Sequence, residues 1–399
     1  MDVIWEFGCA CQAAENAGGY SSLYMRMTQV RGNRQTCSYS NHLTQSSIGE
    51  PYTLRILVTG GAGFIGSNFI RYMLLHHPDV YIVNLDKLTY AGNLENLADV
   101  GEGSPFASRY LFVQGDISDQ ALVESVFRES LDAVVNFAAE THVDRSIEDP
   151  YPFLRTNVLG VQVLMEAGRR HNLSRFLQVS TDEVYGSAPV GVTFSEADPL
   201  HPSSPYAASK AAADLLVLSY NHTFGFPAVI VRCSNNYGPY QFPEKLIALM
   251  IANALEDKSL PVYGDGLNVR DWIYVEDNCR AIARVLESGR AGEIYNIGDV
   301  APRTNLEVVH SILRLLAKPE SLIRFVQDRP GHDRRYALES SRLRCELGWS
   351  PAVSFQEGLC LTVKWYIEHV DWLGRCRNGS YRDYYHRQYL QRDDTLRRT

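Results

Sequence analysis

Leu54-Arg-Ile-Leu-Val-Thr-Gly-Gly-Ala-Gly-Phe-Ile-Gly66 is the stretch on which the fold turns. A β-branched run ends at Thr59, glycines stand at Gly60, Gly63 and Gly66, and Ser67-Asn-Phe-Ile-Arg-Tyr-Met-Leu-Leu75 continues with helical character. The order is strand, turn, helix. In such a unit the glycines let the chain turn tightly, let backbone N–H groups approach a pyrophosphate and let helix and strand pack closely. A glycine pattern alone is weak evidence, so the next strand matters. Val80-Tyr-Ile-Val-Asn-Leu85 runs into Asp86, about 20 residues past Gly66, where a dinucleotide-binding fold keeps its ribose-binding carboxylate. An acid there accepts from both adenosine ribose hydroxyls and repels a 2′-phosphate, which favours NAD over NADP. Lys87 tempers that preference, because a cation tolerates the phosphate.

Working outward, strand-length runs recur at Tyr110 to Gln114, Ala133 to Phe137, Phe176 to Ser180 and Ala228 to Arg232, separated by helix-length spacers. The pattern predicts an α/β fold with a doubly wound, Rossmann-like parallel sheet and a smaller C-terminal α/β substrate lobe. Ligands of such sheets sit beyond the carboxyl ends of the strands, where Asp116, Ala138 and Thr181 fall. The rest of the composition narrows the class. With 399 residues, 45% hydrophobic, and 38 basic against 46 acidic side chains, the chain is an ordinary globular protein of two or three domains. Its acidity is spread out, so no nucleic-acid partner is expected. Apolar runs are strand length, far below the ~20 residues of a membrane helix, so no membrane span is expected. Eight cysteines show no C-x-x-C pair and no zinc-type spacing, which predicts free thiols for most of them and no metal site, with Cys9 and Cys11 the two that could chelate or cross-link. Residues 1–50 lack helix or strand periodicity and the basic start and apolar middle of a secretory signal; they read as a disordered extension on a cytoplasmic protein.

The chemistry is carried by Ser180-Thr-Asp-Glu-Val-Tyr-Gly186 at a strand end and, further on, by Tyr206-Ala-Ala-Ser-Lys210. Tyr206 and Lys210 are four apart and share one helical face. A phenol with a pKa near ~10 becomes a base near neutrality only if a cation favours the phenolate, and Lys210 supplies one. Thr181 can hydrogen-bond the substrate hydroxyl or the phenolate. Asp182 and Glu183 add a second task. Oxidation of an alcohol to a ketone acidifies the neighbouring C–H; Glu183 can take that proton while Asp182, if kept protonated by its neighbour's charge, donates to a departing hydroxyl.

From about Leu54 to Tyr389 the chain resembles the extended short-chain dehydrogenase/reductase family, and within it the nucleotide-sugar 4,6-dehydratases. The strings that carry the likeness include Thr59 to Gly66, Asp86 to Asn93, Ala138 to Ile147, Ser180 to Gly186, Tyr206 to Lys210, Ser234 to Leu246, Arg270 to Asp277 and Arg329 to Tyr336. The resemblance implies that dTDP-glucose becomes dTDP-4-keto-6-deoxyglucose. Tyr206 takes the 4-hydroxyl proton as hydride leaves C4 for NAD, Glu183 removes the C5 proton, Asp182 protonates the C6 hydroxyl, and hydride returns to C6. It further implies NAD contacts from Gly60, Gly63, Phe64, Ile65, Gly66, Asp86, Lys87, Thr89, Asp116, Ile117, Ala138, Ala139, Thr156, Tyr206, Lys210 and Asn236. Thr141, Asn235, Lys245, Leu246, Pro261, Tyr263, Arg270, Asn305, Asp328, Arg329 and His332 match positions that bind the sugar nucleotide. The implied division is an NAD domain over 51–235 plus 269–297, a sugar-nucleotide lobe over 236–268 plus 298–385, and a tail over 386–399. Helix 206–223, apolar all round, pairs with helix 152–170 as a homodimer face.

Rival readings share these motifs. They are a UDP-glucose 4,6-dehydratase, another NAD-dependent nucleotide-sugar epimerase or decarboxylase, and a catalytically silent NAD(H)-binding regulator. The Asp182–Glu183 pair beside an intact Tyr206 and Lys210 favours the dehydratase, and the Ser234-Asn-Asn-Tyr237 string favours thymidine.

Overall fold

In a computed structural model the described residues are 54–298, 302–377 and 379–390, so the expected extension over 1–50 and the end of the tail lie outside them. The apolar runs become β1 (Leu54–Thr59), β2 (Val80–Asp86), β3 (Tyr110–Gln114), β4 (Ala133–Asn136), β5 (Arg175–Thr181) and β6 (Ala228–Cys233). Four short strands follow, β7 (Asn235–Tyr237), β8 (Leu260–Tyr263), β9 (Val269–Arg270) and β10 (Trp272–Tyr274), before the chain returns to the main sheet as β11 (Ile294–Ile297). The sheet order is β11-β6-β5-β4-β1-β2-β3, with every pairing parallel. The direction of winding reverses between β1 and β4, the switch point at which such sheets open a crevice.

All but the edge strand β3, which stays partly exposed, read as continuous apolar runs because both faces are covered. Ile56, Val58, Ile82 and Val135 pack with Phe69, Ile70 and Met73 of α1 (Phe64–His76), while Leu57, Val83, Val134 and Phe176 pack on the opposite face with Leu164 of α2 (Val161–Arg170) and Val217 of α3 (Pro205–Phe224). Burying each such side chain stabilises the fold by about 1.5–3 kcal/mol. Near the carboxyl ends of the strands a polar ladder interrupts this core. Thr59 Oγ1 donates to Asn136 Oδ1 and Asn136 Nδ2 to Gln178 Oε1 at 2.8 Å, all fully buried, so β1, β4 and β5 are held in register beneath the switch point. A separate core gathers Ile247 to Ala252, Trp272, Val308, Ile312, Phe355 and Tyr366 around β8, which pairs parallel with the strand Ile323–Val326.

Two helices differ in detail from expectation. The segment foreseen as one helix over 152–170 is an α-turn at Tyr151–Leu154, a π-helical stretch at Arg155–Gly160 and then α2. Gly160 in that stretch abuts Ile117, whose side chain a Cβ there would approach to 2.6 Å. The helix expected over 206–223 is α3, started by Ser204, whose side chain accepts the Ala207 N–H at 3.1 Å, and ended by Gly225 at φ +65°. Cys233, Cys279, Cys345 and Cys376 are free thiols, whereas Cys360 is disulfide-bonded and so departs from the expectation. Among the described residues no helix is long and apolar enough to cross a membrane.

Candidate active site

The glycine turn fixes one wall of the site. Gly60 has φ +68°, and a Cβ on it would lie 2.7 Å from the backbone nitrogen of Ala138, so the β1 turn lies directly against the chain leaving β4. A Cβ on Gly66 would collide with the Gly60 carbonyl, which brings the start of α1 onto the turn. That helix begins at Gly63 with no side-chain cap and no acid in its first turn, leaving its N-terminal end suited to an anion. Asp86, buried at the end of β2, accepts the Ala62 N–H at 2.9 Å and the Leu88 N–H at 2.8 Å. Lys87 turns to Asp116, Nζ to carboxylate 2.9 Å, so its charge is already matched.

Every residue assigned to the cofactor lines a single cavity of about 300 Å³, and Thr181, Asp182 and Glu183 line it too. Thr181 caps the 3₁₀ turn Asp182–Tyr185, accepting the Glu183 N–H at 3.3 Å, and donates to Asp182 Oδ1 at 3.1 Å. Oδ2 of Asp182 and Oε2 of Glu183 are both buried without a hydrogen-bond partner. Burial and the Glu183 charge push the Asp182 pKa well above the usual carboxylate range. Burial raises Glu183 as well, but the charges of Arg329, Lys245 and Arg270 oppose it. The neighbours therefore differ in kind: Asp182 is driven to hold a proton, and Glu183 faces three cations.

Tyr206 and Lys210, both buried on α3, depart from the simple expectation of a cation lowering a phenol. Burial, then the Glu183 charge, drives the Tyr206 pKa well above 10, with Thr181 opposing by hydrogen bonding. Lys210 donates Nζ to the Val179 carbonyl at 2.6 Å, and burial lowers its pKa to about 8. Desolvation dominates at both groups, so the protein alone keeps Tyr206 as a neutral phenol.

Of the residues matched to the sugar nucleotide, Thr141, Asn235 and Lys245 line the cavity, with Lys245 Nζ donating to the Thr141 carbonyl at 2.8 Å. Leu246, Pro261, Tyr263, Arg270, Asn305, Asp328, Arg329 and His332 lie outside its lining. Several of them form a polar wall close enough for their charges to act on Glu183. Arg329 Nη1 is 3.6 Å from Asp144, and Arg270 lies over the Tyr336 ring at 4.2 Å and donates to the Asp333 carbonyl at 2.9 Å. His332 Nδ1 is 2.6 Å from Asp328 Oδ1, yet burial and the charges of Arg329 and Arg270 lower its pKa to about 3, which keeps the ring neutral. Sequence reasoning passed over Glu140, Cys233, Ser234, Gln241, Phe242 and Glu244, which also line the cavity. Glu140 and Glu244 sit inside the very strings that carry the family likeness, so an acid flanked by matched residues was the available signal.

Fold and cavity together define a dinucleotide-type α/β enzyme of the short-chain dehydrogenase/reductase kind, with a buried acid pair added to its Tyr/Lys pair. The family described as GDP-mannose 4,6 dehydratase matches residues 57–362. The chain belongs to that family. The dTDP-glucose 4,6-dehydratase of Xanthomonas campestris pv. campestris is 52% identical over 345 residues, covering 82% of this chain and 97% of its own. The crystal structure of the dTDP-glucose 4,6-dehydratase from Streptomyces venezuelae with NAD and TYD bound matches with a TM-score of 0.78 at 50% identity, over 81% of this chain and 100% of that one. The UDP-glucose 4-epimerase of Thermus thermophilus, in complex with NAD, matches at 0.73 and 35% identity, over 79% and 100%.

Proposed function

We propose that this chain is an NAD-dependent hydro-lyase that converts dTDP-glucose to dTDP-4-keto-6-deoxyglucose. The observation that carries the reading is the Asp182–Glu183 pair, each with a buried, unpartnered oxygen on the cavity that Tyr206 also lines, in surroundings that raise Asp182 well above its ordinary range while three cations oppose the rise at Glu183. The glycine cradle, the uncapped start of α1 and the Asp86 carboxylate fit NAD. When bound, NAD supplies a two-electron acceptor that is restored within the turnover, and in its oxidised form a positive ring charge.

Tyr206 takes the proton of the 4-hydroxyl as C4 becomes a ketone, a role it could fill only as the phenolate, which the Lys210 ammonium and the positive ring charge of bound NAD would favour against the burial that otherwise keeps it neutral. The ketone acidifies the C5 proton, which Glu183 removes, and Asp182 gives its proton to the C6 hydroxyl so that water leaves. Glu183 returns its proton to C5 as C6 is reduced. One turnover leaves Tyr206 protonated and Asp182 ionised, and proton exchange with water resets both. Arg270, Arg329 and Lys245 suit the diphosphate, since cations held against one wall bind an anion without moving to meet it. We also infer a homodimer. Tyr151, Leu154, Leu159 and Leu215, on the adjoining helices 151–170 and 205–224, are 68%, 55%, 47% and 59% exposed, an apolar face suited to a second copy of the chain.

The test is incubation with dTDP-glucose, UDP-glucose and GDP-mannose in separate reactions, scoring the alkali-induced absorbance of a 4-keto product. The expected result is product from dTDP-glucose in large excess over the other two. Product from UDP-glucose or GDP-mannose instead would reassign the donor, and none from any donor would leave an NAD(H)-binding protein without this activity.

A further inference from the structure

Behind the acid–base groups lies a buried charge pair that the reaction scheme leaves unused. Asp214 follows Lys210 by four residues, one turn along the same face of α3. It is fully buried, and its Oδ2 accepts from Arg232 Nε at 2.9 Å. Arg232, 2% exposed, is the one charged residue in the otherwise apolar β6. Its Nη1 donates to the Tyr185 hydroxyl at 2.8 Å and its guanidinium lies 4.7 Å from the centre of that ring. The Tyr185 hydroxyl in turn donates to Asn296 Oδ1 of β11 at 2.9 Å. Tyr185 closes the turn that opens with Asp182 and Glu183. One chain of hydrogen bonds therefore runs from the helix that carries Tyr206 and Lys210, through β6, to the turn that carries the two acids.

Stability alone does not require this arrangement. A buried ion pair is desolvated at a cost its attraction barely offsets, and packed apolar residues in its place are commonly as stable or more so. Its position is what sets it apart, because it ties together the two elements whose side chains must act on adjacent carbons of one hexose. An error of about 1 Å in such placement costs on the order of a hundredfold in rate. We propose that Asp214, Arg232 and Tyr185 are positioning residues that hold the Tyr206–Lys210 helix and the Asp182–Glu183 turn in one fixed register. This rests on the function proposed above.

A second consequence concerns Lys210. Burial lowers its pKa, and the groups that face it are Asp214 on its own helix and Cys233 on β6, with Arg232 on β6 offsetting part of the Asp214 charge. Burial raises the Cys233 thiol to about 12, and at Asp214 the paired Arg232 opposes the same effect, so Asp214 rather than Cys233 is the group whose charge favours the Lys210 ammonium.

Two conservative variants separate these roles from simple stability. Tyr185→Phe keeps the ring, which is stacked on Phe194 at 5.3 Å, and removes only the hydroxyl; Asp214→Asn keeps the shape and removes the charge. Each is assayed on dTDP-glucose for 4-keto product and on dTDP-6-deoxyglucose, which can be oxidised at C4 but has no C6 hydroxyl to lose, by the absorbance of reduced nicotinamide. NAD affinity and the thermal unfolding midpoint are read in parallel. For Tyr185→Phe the expected result is product formation slowed about tenfold, with KM and oxidation of the 6-deoxy analogue within about twofold of wild type. For Asp214→Asn, the loss of analogue oxidation on raising the pH, expected near pH 8 in wild type, moves to lower pH. Equal losses in both reactions, or an unmoved pH profile with only a lower unfolding midpoint, would make the network structural and overturn the proposal. Should Asp214→Asn not fold, the ratio of the two activities in Tyr185→Phe decides alone. Wild-type protein that makes no 4-keto product overturns the underlying function instead.

Discussion

Asp182 and Glu183 are chemically near-equivalent and adjacent, Asp182 buried and Glu183 partly so, and what chiefly separates them is which charges they face. Asp182 has Glu183 as its strongest charged neighbour, an anion, whereas Glu183 has Arg329, Lys245 and Arg270. Burial and the Glu183 charge favour the acid form of Asp182, so its ability to give a proton is present below its raised folded pKa and is lost as the pH rises through it. Asp182→Asn keeps the shape and removes the proton to be given. The expected outcome is water loss slowed by roughly a hundredfold or more, with C4 oxidation of dTDP-6-deoxyglucose retained. Undiminished 6-deoxy product would remove Asp182 from the mechanism. At this scale the sequence was informative about identity and weak about environment. The string Ser180 to Gly186 pointed to both acids, but the cations that act on Glu183 and not on Asp182 arrive from residues 245 and 329. Tyr206 is the same case. Its spacing from Lys210 was legible, yet the direction of its pKa shift depends on burial that four-residue spacing does not report.

At the scale of elements, legibility followed burial. β1, β2, β4, β5 and β6 announced themselves because two covered faces make a strand apolar throughout, and the partly exposed edge strand β3 did so by its β-forming residues alone. β11, four residues reading Ile-Tyr-Asn-Ile, has a polar residue that Phe194 and Tyr185 satisfy from outside the strand, so its own run is too short and mixed to stand out. The π-helical stretch Arg155–Gly160 has no sequence period of its own, and it carries Thr156 to the cavity wall. The Asp214–Arg232 pair was invisible for another reason: its partners are 18 residues apart, and only the packing of α3 on β6 joins them. The apolar character of α3 was legible, but not which part of it stays uncovered. Leu215 lies on that uncovered part, so Leu215→Arg should leave the fold intact and disrupt self-association. Light scattering is expected to give the mass of two chains for the wild type and of one for the variant. A wild-type protein with the mass of a single chain would rule out the homodimer.

For the whole molecule, the reversal of winding between β1 and β4 is the organising feature. It opens a crevice at the carboxyl edge of the sheet, and the glycine turn, Asp86, the acid turn and the start of α3 all border the cavity found there. The separate core around β8 anchors residues that flank Tyr263, and the segment Arg329 to Tyr336 brings cations toward the same cavity from the other side. Oxidation, elimination and reduction can then occur on one hexose without release, provided the electrons taken at C4 are kept in the site until C6 can receive them. That claim is tested most directly with dTDP-glucose carrying deuterium at C4. The account predicts that the 4-keto-6-deoxy product carries the label at C6, transferred within the same molecule, when labelled and unlabelled substrate are mixed. Label lost to solvent, or product formed with none at C6, would contradict it.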